Sequence, residues 1–338
     1  MKPVIAISMG DYNGIGPEVV LKTLSQTDRS RATPVVLGHE KVFRFYTDKM
    51  GLEFNTLLIE RGEDIENAER ENRDSILFLN CTGKTLIDPD PGVIHREAGK
   101  ASMQAVEKGV DLCMAHHTHA LVTAPISKEA IQLAGYAYPG HTEFLAKKTA
   151  ENDFMMMMVS NGLRIGLATV HIPISEVPRQ IHRQSLLRIL RLFNKSLRED
   201  FEIEEPRIAV LGLNPHAGDG GVIGREEKET LSPAIQNASA TSLPGRFEGP
   251  FAADGFFGNK MFGEFDGILA MYHDQGLIPF KALTFGSGVN FSAGLPIIRT
   301  SPDHGTAFGI AGKNLASHDS FTSAYELAIR LACHKLKK

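Results

Sequence analysis

The chain has 338 residues, a hydrophobic content of 42%, a charged content of 22% and a formal net charge of −4. These values are ordinary for a globular protein, and the lack of a basic excess argues against nucleic acid as the main partner. No apolar run approaches the roughly 20 residues that a membrane span needs, so no membrane association is expected.

Apolar runs alternate with amphipathic segments along the chain. The first strand is predicted at 4–9 and leads through a glycine turn into a helix that begins near Pro17. This alternation continues, which predicts an α/β fold with a largely parallel sheet covered on both faces. Further strands are predicted at 34–38, 53–59, 75–79, 120–123, 154–159, 163–170, 208–213 and 268–271. Helices are predicted at 40–50, 96–114, 141–148, 183–198 and 320–334, with an additional one starting near 128. Segment 61–73 is predicted to be a surface excursion and segment 245–258 to be irregular.

The N-terminal sequence and the cysteines bear on cellular location. The first residues enter a predicted strand directly, so no signal peptide is expected. The three cysteines are scattered and have no C-x-x-C spacing, which predicts reduced thiols and a cytoplasmic protein.

The glycine turn at 10–16 lies between a strand and a helix. This arrangement presents backbone N–H groups to an anion, although it is not a G-x-G-x-x-G or Walker A sequence. A tight turn with a purely structural role is equally consistent with it.

Three histidines each follow a predicted strand: His171, His216 and His273. Parallel strands bring their carboxyl ends to one edge of a sheet, so these imidazoles could converge although they are far apart in sequence. Three neutral imidazoles with an open position form a catalytic divalent-metal site. The alternative is three unrelated histidines in the core or in loops.

The segment 271–314 is rich in polar and ionisable side chains, among them Lys281, Asn290 and Arg299. Two cations and an amide suit a small substrate that carries phosphate or carboxylate groups. The alternative is a solvated, loop-rich surface. His141 and Thr142 begin a predicted helix and could hold substrate oxygens, although Thr142 could simply cap the helix.

Short motifs distributed along almost the whole chain identify a family. They are MGD at 9–11, GIGPE at 14–18, TAPI at 123–126, GHTE at 140–143, LNPHAG at 213–218, MYHDQG at 271–276, GLP at 294–296, RTS at 299–301 and DHGT at 303–306. Together they resemble the PdxA family, the 4-hydroxythreonine-4-phosphate dehydrogenases of vitamin B6 biosynthesis. The chain departs from the common pattern at Tyr12 and Asn13, where Pro-Ala is usual, and at Gly255, where Thr is more usual.

The resemblance implies a fold like that of isocitrate and isopropylmalate dehydrogenases, with two α/β/α domains and a cleft between them. Residues 1–133 plus 289–338 would form one domain. Residues 134–288 would form the other, which would carry the metal ligands and most of a homodimer interface.

The resemblance also implies roles for individual residues. His171, His216 and His273 would bind a divalent metal at a site shared between subunits, and no other catalytic side chain is expected. Imidazole ligands favour zinc or cobalt, with magnesium and manganese as alternatives. The implied substrate-binding residues are His141, Thr142, Lys281, Asn290 and Arg299. His304 and Asn314 would contact the cofactor, NAD or NADP.

The activity implied by the resemblance is an oxidation followed by a decarboxylation. 4-Phosphooxy-L-threonine would be oxidised at C3 and would lose CO₂ to give 3-amino-2-oxopropyl phosphate, on the way to pyridoxal 5'-phosphate. Within the same family, the alternative is a 4-phospho-D-threonate or erythronate 3-dehydrogenase. Outside it, a non-catalytic metabolite-binding protein or a phosphate acyltransferase of similar architecture remain alternatives.

Overall fold

The computed structural model of the chain describes residues 2–71, 74–82, 88–138, 140–240 and 243–337. The chain divides into two compact units. Unit 1 comprises Met1–Asn152 with Leu295–Lys338, and unit 2 comprises Asp153–Gly294. The helix that begins at His141 therefore belongs to unit 1 in this division.

The strands and α-helices are numbered along the chain. The strands are β1 (Val4–Ser8), β2 (Thr33–Gly38), β3 (Thr56–Ile59), β4 (Ile76–Asn80), β5 (Ala120–Thr123), β6 (Met155–Ser160), β7 (Leu163–Leu167), β8 (Arg207–Leu211), β9 (Arg246–Phe251), β10 (Gly267–Ala270), β11 (Val289–Ala293) and β12 (Ile298–Pro302). The α-helices are α1 (Gly16–Gln26), α2 (Glu40–Met50), α3 (Ile65–Glu71), α4 (Arg96–Met114), α5 (Lys128–Leu133), α6 (His141–Lys148), α7 (Val177–Gln180), α8 (Arg183–Glu199), α9 (Ser232–Ala240), α10 (Ala253–Gly258), α11 (His273–Thr284) and α12 (Asp319–Lys335).

Unit 1 contains a parallel sheet with the strand order β3–β4–β2–β1–β5–β12. All five residues of β1 are buried, as expected for a strand covered on both faces of a parallel sheet. Pro17 lies in the first turn of α1, where its missing N–H leaves no helical hydrogen bond unmade. The predicted α/β fold is confirmed.

Unit 2 contains a mixed sheet with the strand order β11–β6–β7–β10–β8–β9. Strands β7, β10, β8 and β9 are mutually parallel, whereas β6 is antiparallel to both of its neighbours. The core of this unit is formed by apolar side chains from the sheet and from the helices α10 and α11. The central strands of the unit therefore share one carboxyl edge.

Two segments differ from the sequence-based prediction. Segment 245–258 is predicted to be irregular but forms β9 and α10, and β9 accommodates Pro250 because, among the described residues, it pairs only with β8 at the edge of the sheet. No helix is predicted within 271–314, but α11 runs from His273 through Pro279 to Thr284. Tertiary packing of Leu277 and Phe280 outweighs the weak helix propensity of this segment.

Two smaller differences concern the bounds of β7 and the structure of segment 61–73. Strand β7 ends at Leu167, so His171 lies beyond a short turn rather than directly at the strand end. The predicted surface excursion at 61–73 contains the short helix α3. Among the described residues, no helix combines the length and the apolar character needed to cross a membrane.

Candidate functional site

The three candidate metal-binding histidines follow three neighbouring strands of unit 2. The strand order is β7–β10–β8, and all three strands run in the same direction. His171 follows β7, His273 follows β10 and His216 follows β8. The fold therefore positions all three residues beyond the same edge of the sheet, which is where open α/β sheets bind ligands.

His171 and His273 lie close together at this edge. Their ring centroids are 6.0 Å apart and the ring planes are inclined by 41°. Two imidazoles on one zinc ion have ring centres roughly 5–6 Å apart, given Zn–N bonds of about 2.0–2.1 Å. The pair is thus compatible with a shared cation.

Asp274 orients the imidazole of His273. Its Oδ1 lies 2.7 Å from His273 Nδ1, so the ring can donate a hydrogen bond to the carboxylate. Carboxylates in this position fix the tautomer and direction of metal-binding histidines. This contact engages Nδ1 and leaves Nε2 of His273 as the nitrogen available to a ligand.

His216 lies in the exposed loop after β8 and has an unusual backbone. Its φ of 53° and ψ of 27° are in the left-handed region. Such conformations in non-glycine residues cost about 1–3 kcal/mol and are concentrated at functional sites. Within the described ranges of this single chain, no group of three or more histidine, cysteine or acidic residues could hold a metal ion. The structure brings His171 and His273 together but does not add His216 to the pair.

Arg299 is the central side chain of a polar cluster in unit 1. It lies on β12 and is 1% exposed. Its Nε and Nη2 donate to Thr123 Oγ1, at the end of the adjacent β5, over 3.1 and 2.7 Å. Burial lowers the pKa of Arg299, and the negative charge of Glu143 raises it again. A guanidinium held in this dry environment attracts an anion strongly.

His141 belongs to the same cluster, at the start of α6. Burial, assisted by the charge of Arg299, lowers its pKa well below the usual 6.5. The imidazole is therefore neutral at neutral pH, and its buried Nε2 has no hydrogen-bond partner among the described residues. An unsatisfied buried nitrogen costs about 1–3 kcal/mol, which a ligand could recover. The side chain of Thr142 lies outside the part of the chain that the structure describes.

The other two candidate substrate residues belong to unit 2. Lys281 is exposed in the last turn of α11. Asn290 is half-buried on β11, and in the described structure its Oδ1 is buried without a hydrogen-bond partner. An amide oxygen of this kind is available to a donor group of a ligand.

The candidate cofactor residues lie between β12 and α12, in unit 1. His304 Nδ1 is 3.2 Å from the carbonyl oxygen of Gly305, and its Nε2 is buried with no partner in the described ranges. Asn314 is exposed and has a left-handed φ of 59°. The loop packs against the glycine turn at 10–16, because the N–H of Ile15 donates to the carbonyl oxygen of Thr306 over 2.9 Å.

The glycine turn also contains a buried carboxyl group. Burial raises the pKa of Asp11 to about 6, although the N–H groups of Asn13 and Gly14 oppose this shift. The side chain of Asn13 accepts from Asp90 N and donates to the carbonyl oxygen of Val93, both over 2.9 Å. The turn is thus hydrogen-bonded to segment 90–93, which agrees with a structural role for the glycine turn.

Three residues of these two clusters were not predicted as site residues: Thr123, Glu143 and Asp274. Each lies inside one of the family motifs, TAPI, GHTE or MYHDQG. Asp274 could have been found from its position next to His273. Thr123 and Glu143 gain their importance from a buried arginine that is distant in sequence, because Thr123 accepts its hydrogen bonds and the charge of Glu143 raises its pKa.

Comparisons with known proteins agree along nearly the full chain. A model of the PdxA family, described as pyridoxal phosphate biosynthetic protein PdxA, matches residues 30–328. A 4-hydroxythreonine-4-phosphate dehydrogenase of Prosthecochloris aestuarii is 44% identical over 337 residues, which is 98% of each chain. One of Bacteroides thetaiotaomicron is 42% identical over 331 residues, covering 96% of this chain and 87% of the relative. The crystal structure of the Klebsiella pneumoniae 4-hydroxythreonine-4-phosphate dehydrogenase aligns with a TM-score of 0.85 and 36% identity over 98% of each chain.

Proposed function

Because the chain belongs to the PdxA family of pyridoxal phosphate biosynthetic proteins, we propose that it oxidises 4-phosphooxy-L-threonine at C3 with NAD(P). The resulting β-keto acid loses CO₂ to give 3-amino-2-oxopropyl phosphate. The observation that carries this proposal is the position of His171, His273 and His216 beyond three neighbouring parallel strands. A dehydrogenase acting on a β-hydroxy acid can use a cation at such an edge.

The three histidines hold a divalent cation in this proposal, and the site is shared between two subunits of a homodimer. The distance between His171 and His273 and the contact of His273 with Asp274 support it. When bound, the cation supplies Lewis-acid polarisation of the substrate hydroxyl and of the carbonyl formed from it. The imidazole ligands favour zinc or cobalt over magnesium or manganese.

The substrate is bound through its anionic and polar groups. The buried guanidinium of Arg299 faces a carboxylate or phosphate, and neutral His141 offers Nε2 to a substrate oxygen. Thr142, Lys281 and Asn290 complete the proposed contacts. Two buried polar atoms, His141 Nε2 and Asn290 Oδ1, support this proposal. A buried polar atom without a hydrogen bond lowers stability, and a hydrogen bond to a bound ligand would remove this cost.

The proposed cofactor contacts lie in unit 1, and the proposed homodimer interface lies in unit 2. His304 is proposed to bind the nicotinamide dinucleotide through its unsatisfied Nε2, together with Asn314. Homodimer formation through unit 2 is supported by its highly exposed apolar side chains, which are Phe285, Val222, Ile174 and Ile278. The free thiols Cys81, Cys113 and Cys333 are consistent with the cytoplasmic location predicted from sequence.

An absorbance assay at the reduced-nicotinamide band tests this function. The protein is incubated with 4-phosphooxy-L-threonine and either NAD or NADP, before and after treatment with a chelator, and 4-phospho-D-threonate is the comparison substrate. We expect cofactor reduction with the amino substrate, loss of activity after chelation and recovery on adding Zn²⁺ or Co²⁺. Absence of reduction with both cofactors and every added metal would refute the proposal.

A further inference from the structure

The loop that carries His216 is held in a conformation that its own sequence does not favour. His216, Ala217 and Asp219 have φ angles of 53°, 49° and 45°, and Gly218 and Gly220 between and after them are also left-handed. Non-glycine residues rarely enter this region of backbone space. Contacts from outside the loop must therefore stabilise it.

A buried carboxylate lies under this loop. Glu227 is 4% exposed, and its Oε1 accepts hydrogen bonds from the N–H groups of Leu213 and Asn214 over 2.8 and 2.7 Å. Its Oε2 accepts from Asn214 Nδ2 over 2.9 Å. One side chain thus fixes the two residues that lead into Pro215 and His216.

The loop is folded tightly around Glu227. A Cβ at Gly218 would lie 2.6 Å from Glu227 Oε2, and one at Gly212 would lie 3.3 Å from Glu227 Oε1. Gly218 also has a φ of 81°, which favours glycine, so both this backbone conformation and the close contact with Glu227 require glycine at this position. Glu227 begins a π-helical turn (Glu227–Leu231), a rare feature that is often found at functional sites.

The same loop is connected to the segment that carries His273. Gln275 Nε2 donates to the carbonyl oxygen of Gly212, and Gln275 Oε1 accepts from the N–H of Met271, both over 2.6 Å. Gly212 therefore contacts the first turn of α11 on one side and Glu227 on the other. The two histidine-bearing segments share one hydrogen-bonded support.

We propose that Glu227 is a positioning residue, which holds the His216 loop in its left-handed conformation so that the imidazole is ready to bind the divalent cation. The inference rests on the proposed function, because it concerns the cation assigned to His171, His216 and His273. Glu227 acts through the backbone of Leu213 and Asn214, and it does not contact the substrate in this account.

Cobalt binding tests the proposal. Purified metal-free protein is titrated with Co²⁺ alone, and binding is followed by the visible absorption of the ion, at a temperature well below the unfolding midpoint. Glu227→Gln removes the charge, so the hydrogen bonds from the N–H groups of Leu213 and Asn214 lose their charge-assisted strength. The NH₂ group that replaces Oε2 also faces Asn214 Nδ2, donor against donor. We expect the Co²⁺ dissociation constant to rise by about 10- to 100-fold, the range found when groups that orient metal ligands are removed.

The matched control is Glu226→Gln. Glu226 Oε2 accepts from the same Asn214 Nδ2 over 2.8 Å, but the N–H groups of Leu213 and Asn214 donate to Glu227 and not to Glu226. We expect its Co²⁺ dissociation constant to stay within about threefold of the wild-type value. If Glu227→Gln does not fold, Glu227→Asp takes its place, since it keeps the charge but withdraws the acceptor atoms from the loop.

The outcomes separate this inference from the proposed function. A Glu227 variant that binds Co²⁺ within threefold of wild type, even with a lowered unfolding midpoint, has lost only structural support, and the positioning role is then wrong. Wild-type protein that binds no Co²⁺, or binds it equally well after His216→Ala, overturns the metal site and this inference with it.

Discussion

The two polar clusters of the molecule differ in how they are built. In unit 1, Arg299 is buried and His141 is half-buried with a buried Nε2, and Thr123 accepts two hydrogen bonds from the guanidinium. In unit 2, His171 and His216 lie on loops beyond the edge of the sheet, whereas His273 begins α11, and His216 is exposed with a strained backbone. Contacts within one chain hold the first cluster together, whereas His216 does not join His171 and His273 among the described residues of the single chain.

The two clusters are expected to contribute differently, unit 1 to substrate binding and the histidines of unit 2 to metal binding. A buried guanidinium costs desolvation energy, and pairing with an anionic ligand offsets part of that cost. His171 and His216 are exposed and His273 is half-buried, so these imidazoles cost less desolvation energy. We therefore expect changes in unit 1 to act mainly on KM and on stability, and changes at the histidine edge to act mainly on metal content and kcat.

The largest effect is expected from His216→Ala. Loss of a metal ligand should reduce kcat on the order of 1,000-fold or more, because Lewis-acid stabilisation contributes several kcal/mol. The measurements are turnover in the reduced-nicotinamide assay and bound metal by elemental analysis. His116→Ala is the matched control, since His116 is also exposed and has a left-handed φ of 59°. Full activity and full metal content in His216→Ala would contradict the assignment of metal binding to the histidines of unit 2.

Arg299→Lys should raise KM for the phosphorylated substrate on the order of 100-fold, or about 2.7 kcal/mol, because lysine keeps the charge but loses the planar fork. Steady-state kinetics at saturating cofactor measure this change, and kcat should fall much less than kcat/KM. Thr123→Val removes only the acceptor for the guanidinium, and a smaller rise of about tenfold is expected. An unchanged KM in both variants would show that the buried cluster does not bind substrate.

Asp11→Asn tests the energetic cost of buried charge in unit 1. The pKa of Asp11 in the folded protein, about 6, lies above the ordinary value of 3.8, so the folded state binds more protons between these values. The free energy of unfolding therefore falls as the pH rises from about 4 to 6, because Asp11 must ionise while it is buried. The asparagine variant has no carboxyl group there, so it does not show this decrease in stability. From about pH 4 to pH 7, the variant should gain about 2–3 kcal/mol in unfolding free energy relative to wild type. Urea unfolding at both pH values gives the comparison, and a constant difference would contradict the burial of a titrating carboxyl.

Asp274→Asn is expected to have the smallest effect. The amide can still accept a hydrogen bond from His273 Nδ1, but it lacks the charge that strengthens the imidazole as a ligand. Metal affinity should fall about tenfold, the lower end of the range for such residues. Calorimetric titration with Zn²⁺ measures it, and Asp254→Asn, which also changes an exposed aspartate of this unit, is the control. Equal affinities in the two variants would leave Asp274 without a role at the histidine edge.

Local patterns predicted most of the fold. The helices at 40–50 and 96–114 were predicted at their observed bounds, because strong apolar periodicity and their ends are encoded locally. Strand β9 and helix α11 were missed because Pro250, Gly276 and Pro279 are breaking signals that tertiary packing overrides.

The site was predictable to the extent that it depends on strand ends. Histidines after parallel strands share an edge, so the sequence could predict their convergence, whereas the order β7–β10–β8, which makes the three strands neighbours, is known only from the structure. The partners of Arg299 were not predictable, because Thr123 is 176 positions away in sequence and becomes its acceptor only through the pairing of β5 with β12. Contacts of this kind depend on the folded sheet and leave no local pattern.

X-ray diffraction recorded at the zinc absorption edge, from crystals of the zinc-loaded protein, tests the central claim most directly. The account predicts one anomalous peak at the edge of the unit 2 sheet, about 2.0–2.1 Å from imidazole nitrogens of His171 and His273, with His216 completing the ligand set. A peak bound by other residues, or no peak in fully loaded crystals, would contradict it.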